Sequence, residues 1–329
     1  MNETFTIAHL SDLHLTSPND IKIRELLNKR IYGYIKWKLR RGAEHRGHVL
    51  EALIRDLQIT EPDHIAVTGD LTHLGLPEEF RKAAELLPSL GPPSKVTVIP
   101  GNHDIYVSTD WNSTFGLWTN YMISDQAHLR DQAGTNSGST FPSLRIRGLA
   151  ALIGVCTARP SAPLLAVGSI GQAQLQELEK TLFETGRQRL FRIVLVHHPP
   201  VYGTVSWRKR LTDGSAFRSV LAQYGAELIL HGHAHRSSLR QFETPTGWAP
   251  AVGVPSASSL GLKPWRRARY HLYRVQRTGN VWKVAMSVRG YSPEQESFAH
   301  ETEKNLTISQ PLHEKSGSSA QPPQGDPQD

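Results

Sequence analysis

The sequence predicts an α/β protein built around one large domain, and three observations carry that prediction. Short apolar runs of β-forming residues alternate with segments of helical apolar spacing, and polar, titratable motifs stand where the apolar runs end. The chain has 329 residues, 38% hydrophobic and 20% charged, which is enough for a sizeable core and too apolar for a disordered chain.

Thr4 to Leu10 is β-rich and runs into a polar loop at Ser11-Asp12, as a first buried strand would. Gly47 to Ile59 places Val49, Leu50, Leu53, Ile54 and Leu57 at helical spacing, and the apolar run Ile65 to Val67 then leads to Gly69-Asp70. The unit repeats with a helix from Pro77 to Leu87 and a strand from Lys95 to Ile99 that ends in Pro100-Gly101-Asn102-His103-Asp104. Leu149 to Val155 is another apolar strand and Gln172 to Phe183 an amphipathic helix. Leu190 to Val196 is a continuous apolar strand ending in His197-His198. A short helix, Ser215 to Gln223, precedes the strand Ala226 to Leu230 and the motif His231-Gly232-His233-Ala234-His235.

Beyond this point Ser237 to Phe242, Trp248 to Val254, Arg269 to Arg277 and Val281 to Val288 read as strands joined by short turns, so the second half is expected to be antiparallel-rich. The domain is expected over residues 1–290, with a basic, aromatic helical insertion at 20–46. Residues 291–329 are expected to be a disordered tail, since Ser316 to Asp329 offers no apolar anchor.

A single cysteine, Cys156, excludes an internal disulfide framework and zinc-thiolate chemistry, and it fits a reducing compartment. The N-terminus lacks a basic segment followed by a long apolar run, and no stretch of about 18 apolar residues occurs, so a cytoplasmic protein is expected. The net charge of +7 and sequence pI near 9.5 suit an anionic partner without naming one. Nothing in the sequence specifies an oligomer.

Chemistry-bearing residues gather at the strand ends, where open α/β sheets place ligand sites. Asp12 and His14 lie two apart, so extended backbone would turn both to one side. Asp70 could bridge two cations held about 3.5 to 4 Å apart. Asn102, His103 and Asp104 supply a neutral oxygen, an imidazole and a carboxylate that could orient it. His231, His233 and His235 alternate around Gly232, where the missing side chain permits close approach to an ion or substrate. Each motif alone has an ordinary explanation as loop polarity, turn cap or satisfied histidine. Their succession at strand ends points instead to a metal centre, and mixed imidazole and carboxylate donors suit Zn, Fe, Mn or Co.

These residues resemble the calcineurin-like metallophosphoesterase family, through Asp12-Leu13-His14, Gly69-Asp70, Gly101-Asn102-His103-Asp104, His197 and Gly232-His233-Ala234-His235, in that order over roughly residues 5 to 255. The resemblance implies a four-layer αββα sandwich with two mixed sheets. It also implies that Asp12, His14 and His235 hold one metal, that Asn102, His197 and His233 hold a second, and that Asp70 bridges both. His103, with Asp104 beside it, would be catalytic, while His73, His198 and His231 are assigned to the pocket. Hydrolysis would proceed by attack on phosphorus of a hydroxide shared by the two cations.

Within the family, Gly69-Asp70-Leu71-Thr72 followed by Gly101-Asn102-His103-Asp104 is similar to class III cyclic nucleotide phosphodiesterases, which implies a small phosphodiester substrate. The segment Asn28 to Arg46, NKRIYGYIKWKLRRGAEHR, departs from that subgroup. It resembles membrane-associated UDP-diacylglucosamine pyrophosphatases, and its composition suits peripheral contact with an anionic membrane at the inner face as well as it suits a solvated helix that packs its aromatics inward. Two further clusters, Trp207-Arg208-Lys209-Arg210 and Lys263-Pro264-Trp265-Arg266-Arg267-Ala268-Arg269, combine aromatic and cationic side chains that could stack a base and neutralise phosphate, although such clusters are more often ordinary solvated loops. Beyond such patches no long basic segment lines a groove, so nucleic acid is not an expected partner. A metal-free interaction scaffold would be expected to have lost donors, and here every donor is present.

Overall fold

The computed structural model describes residues 3–15, 21–41, 44–125, 140–245, 247–279 and 281–309. The described strands are β1 (Thr4–Leu10), β2 (His64–Val67), β3 (Val96–Val98), β4 (Ser143–Arg147), β5 (Ala150–Val155), β6 (Phe191–Val196), β7 (Leu228–His231), β8 (Ser238–Thr244), β9 (Gly247–Gly253), β10 (Arg269–Thr278), β11 (Val281–Ser292) and β12 (Ser297–Ser309). They form two six-stranded sheets, ordered β12-β11-β10-β1-β2-β3 and β4-β5-β6-β7-β9-β8. Both are mixed: β1, β2 and β3 run parallel, as do β5, β6, β7 and β9, and the remaining pairs are antiparallel.

The helices are α1 (Arg30–Lys36), α2 (Gly47–Thr60), α3 (Pro77–Leu90), α4 (Thr119–Met122), α5 (Gln172–Arg187) and α6 (Gly214–Tyr224). Three apolar cores separate four layers. Val49, Leu53 and Leu57 of α2 and Phe80, Ala83 and Leu87 of α3 pack on Leu10, Val67 and Val98 of the first sheet. Between the sheets, Ile7 and Val275 meet Phe191, Ile193, Leu195 and Leu230. Leu178 and Leu182 of α5 and Phe217 and Leu221 of α6 cover Val194, Val196 and Ile229 on the outer face of the second sheet. β6 alternates Phe191, Ile193 and Leu195 inward with Val194 and Val196 outward, and burial on both faces is why Ile193 to Val196 reads as an apolar run, preceded by Arg192, which is buried in an ion pair with Glu227.

The second half is antiparallel-rich, as expected, with β9 also pairing parallel to β7. Three expectations need correction. The tail does not begin at residue 291: β12 pairs along β11 from Val281↔Ser309 to Ser292↔Ser297. Its polar centre at Glu301, Thr302, Glu303 and Lys304 is what an exposed edge strand carries, and it hid the strand in the sequence. Residues 310–329 lie outside the described residues. The edge strand β4 was not anticipated because its buried side includes Arg145, whose guanidinium donates to the carbonyls of Ile123, Val96, Asn120 and Pro93. The insertion, finally, is not one helix. It is a 3₁₀ turn Ile23–Leu26, α1 and a π-helical turn Trp37–Arg41, docked by Arg30, which donates to the carbonyls of Leu74 (3.0 Å) and Gly75 (2.6 Å).

Candidate metal centre

The carboxyl ends of the parallel strands from both sheets meet along one seam. β1 ends at Asp12 and His14, β2 at Asp70, β3 at Asn102 and His103, β6 at His197, and β7 at His233 and His235. Parallel pairing continues past the strands: Asp12 N–H donates to Gly69 O (2.9 Å), His14 N–H to Asp70 O (3.0 Å) and Leu15 N–H to Leu71 O (2.8 Å). The two sheets are tied across the seam, because His233 N–H donates to Asp12 Oδ2 (3.0 Å).

Extended backbone does not aim these side chains. Asp12 (φ 53°), His14 (42°), Asp70 (57°), His233 (67°) and His235 (50°) all sit in the left-handed region, where a non-glycine residue costs on the order of 1–3 kcal/mol. Gly232 also plays a part other than the one expected of it: a Cβ there would overlap Ser11 Oγ and Asp12 Oδ2, so its bare backbone admits the β1 loop rather than an ion or substrate.

Two donor sets result. One ligand atom from each of Asp12, His14, Asp70 and His235 lies within 4.8 Å of the others, and the same holds for Asp70, His197 and His233. Donors opposite one another across a first-row cation stand about 4.2 Å apart, so each set fits one ion after small side-chain movement. Asp70 belongs to both sets. Asn102 Oδ1 joins the second, 3.1 Å from His197 Nε2.

The electrostatics suit cations. Burial works to raise the Asp12 carboxyl, but His235, with Nε2 3.1 Å from Oδ1, outweighs it and holds the group well below the usual carboxylate range. Burial likewise works to lower the His197 imidazole, but the Asp70 carboxylate at 3.4 Å prevails and pushes it up to about 9. His197 Nδ1 is 2.7 Å from Thr68 O, which fixes a proton there. Burial, then the charge on neighbouring His198, holds His233 well below its ordinary value.

His103 stands beside both sets. Its N–H donates to Asp70 Oδ1 (2.7 Å), and its Nδ1 meets the carbonyl of His73. Asp104 does not orient this imidazole, contrary to expectation. Its carboxylate accepts from the backbone N–H groups of Asp70 (2.9 Å), Thr72 (2.9 Å) and Gly101 (2.8 Å), knitting two loops together. Burial and the Asp70 charge raise it to about 7 against those bonds.

The three histidines assigned to the pocket are all buried. His198 is fully enclosed, Nδ1 2.7 Å from Thr157 Oγ1, and its ring lies 4.4 Å from that of His233. His231 ends β7 within the sheet, and burial lowers it to about 4. His198 packs against the rings of His197 and His233, behind the second donor set. His73 stacks on His14 at 4.7 Å with planes 9° apart.

One residue at the centre was not anticipated. His45, at the end of the insertion, places a ligand atom within 4.8 Å of those of His14 and His235. It has no motif spacing to the other donors and stands among basic residues, so only its being a histidine could have flagged it.

The calcineurin-like phosphoesterase family model matches residues 5–237. The chain belongs to the calcineurin-like phosphoesterase family. It is accordingly a hydrolase acting on phosphate esters. It is 25% identical over 283 residues, 85% of this chain and 91% of the relative, to a probable cyclic nucleotide phosphodiesterase of Synechococcus. It is 26% identical over 257 residues, 76% of this chain and 65% of the relative, to a cAMP/cGMP dual specificity phosphodiesterase of Mycobacterium tuberculosis. A dimetal phosphatase from Danio rerio shares the fold, with a TM-score of 0.53 and 14% identity over 93% of this chain and 99% of that one. Among the described residues no helix is long and apolar enough to cross a membrane.

Proposed function

We propose that this phosphoesterase cleaves a small phosphodiester, with a 3′,5′-cyclic nucleotide as the leading substrate class, at a dinuclear centre. The observation that carries the reading is the pair of donor sets sharing Asp70. Two cations bound there would supply Lewis acidity toward water and toward the phosphoryl oxygens. Asp12, His14 and His235 would hold one, Asn102, His197 and His233 the other. The His73 carbonyl can only accept, so it keeps a proton on His103 Nδ1; a second proton, on Nε2, is the one that can pass to the leaving oxygen.

The nucleotide part of the reading rests on the names of the two relatives and on a cleft of about 430 Å³, a size suited to a small ligand, that starts at Pro199 and Pro200 directly after His197 and His198. Tyr202, Trp207, Arg210 and Arg218 line it, combining stacking surfaces with cations. Between the lining residues Trp207 and Arg210, Lys209 O lies 3.0 Å from His233 Nε2, which places the cleft beside the centre.

The test is hydrolysis of bis-p-nitrophenyl phosphate, p-nitrophenyl phosphate and cyclic AMP by metal-stripped protein with Mn, Zn, Fe or Co added back. Metal-dependent cleavage that favours the diesters is the expected result. Preference for the monoester overturns the diesterase reading.

A second reading, a hydrolase of lipid-linked nucleotides working at a membrane surface, is favoured by one feature of the insertion. Ile23, Leu27, Ile31, Ile35 and Leu39 recur every fourth residue and are all exposed, Ile23 by 81% and Leu27 by 79%, among Lys22, Arg24 and Lys38. Exposed apolar side chains with cationic neighbours suit insertion at an anionic interface. Co-sedimentation with vesicles containing phosphatidylglycerol, lost in Ile23→Glu/Leu27→Glu, would support it; no sedimentation of the wild type would remove it.

A further inference from the structure

We infer that His45 is an additional ligand of the cation held by His14 and His235, delivered to the centre by the basic insertion. The inference rests on reading the site as a metal centre and adds a donor from outside the strand-end motifs. The grouping of His45 with His14 and His235 shares both imidazoles with the set that includes Asp12 and Asp70, so a cation held by those two imidazoles has His45 as a third neighbour on the side away from the carboxylates. The His45 ring centre lies 4.6 Å from that of His14 and 6.3 Å from that of His235.

A ligating histidine is commonly oriented by a hydrogen bond from its other ring nitrogen, and His45 has such an orienting partner. His45 Nδ1 is 2.8 Å from Ser258 Oγ. With the proton on Nδ1 directed at that oxygen, Nε2 is the donor atom. The backbone on either side is fixed to the same loop: His45 bridges to Ser259, Arg46 N–H donates to Ser258 O (3.4 Å), and Leu260 N–H donates to Glu44 O (2.7 Å). That loop also secures Asp12, whose carbonyl accepts from Ser256 Oγ (2.6 Å). One segment, residues 256–260, therefore sets the distance between His45 and the donors on β1. His45 is only partly buried, unlike Asp12 and His14, which puts it on the open side of the centre.

The experiment is titration of the metal-stripped full chain with Co²⁺, followed by visible absorption and by metal content after gel filtration, for wild type, His45→Gln and Ser258→Ala. Wild type is expected to bind two equivalents. His45→Gln should bind one unchanged, bind the other about 10- to 100-fold more weakly, and alter the absorption of that cobalt. Ser258→Ala, which keeps the imidazole, should show a smaller loss at the same site. His45→Asn checks that the effect follows the imidazole, with thermal unfolding of each metal-free variant showing that the fold is kept. Two unchanged affinities and superimposable spectra in His45→Gln would overturn the assignment. Wild type that takes up no cobalt would instead sink the metal-centre reading on which it rests.

Discussion

The donors around His197 and those around His235 differ in what stands behind each imidazole. His197 is fully buried, backed by the Thr68 carbonyl and by His198, and His233 is likewise buried against Lys209 O and the His198 ring. His235 keeps 22% of its side chain exposed, and its half of the centre is a stack of imidazoles, with His14 between His73, His103 and His235 and with His45 against its edge. One half is backed by two main-chain carbonyls, Thr68 O after β2 and Lys209 O in a turn; the other has Thr72 O behind His14 and is otherwise surrounded by side chains and by a segment inserted outside the sheets. The difference teaches that donors of the same chemistry can have unequal surroundings, and that the more exposed half is the one open to tuning.

Four changes break or sharpen this contrast. Asp70→Asn strikes both halves, because the shared carboxylate is lost, and should abolish turnover while far-UV circular dichroism stays unchanged; full activity would mean that the two halves work independently. His103→Ala should lower kcat by about 10² to 10⁴ without changing metal content, since it removes a proton donor and no ligand. His197→Ala and His235→Ala should each cost about 1–3 kcal/mol in the metal-free state by chemical denaturation, the first because it strands Asp70 and the second because it strands the buried Asp12 carboxylate. A loss under about 0.5 kcal/mol for His235→Ala would show that its half carries the smaller structural load.

The smallest effect is a proton count. Because its pKa is raised to about 9 beside Asp70, His197 is protonated at neutral pH in the metal-free protein and must shed that proton to become a ligand. Affinity of the inner half should therefore rise with pH up to about 9, and uptake at pH 7 should release a proton, measured by calorimetry in buffers of different ionisation enthalpy. His197→Ala should remove that release.

Much of this was legible in the sequence, for reasons that also explain what was not. β6 and β1 announce themselves because both of their faces are buried, and the donors cluster because parallel strands deliver their carboxyl ends to one seam. β12 and β4 stayed hidden, the one behind the polar side chains of an edge, the other behind a buried arginine that spends its charge on four carbonyls. The aim of Asp12, His14, His233 and His235 could not be foreseen from a two-residue spacing, because their left-handed backbone follows from loops locked against one another across sheets. His45 was invisible for a related reason: it reaches the centre through contacts with residues more than two hundred positions away.

The seam itself has a thermodynamic consequence. Its donors come from strand ends of two separate sheets, so an ion bound there is also a cross-link between the layers, and its binding free energy adds to the free energy of folding. At a free metal concentration one hundred times Kd the gain is about 2.7 kcal/mol per site. Damage to the core between the sheets, at Ile193 or Val275 for example, would then register first as a raised demand for metal. Added cation would restore it, making the concentration of metal in the surroundings a term in how firmly the two sheets are closed.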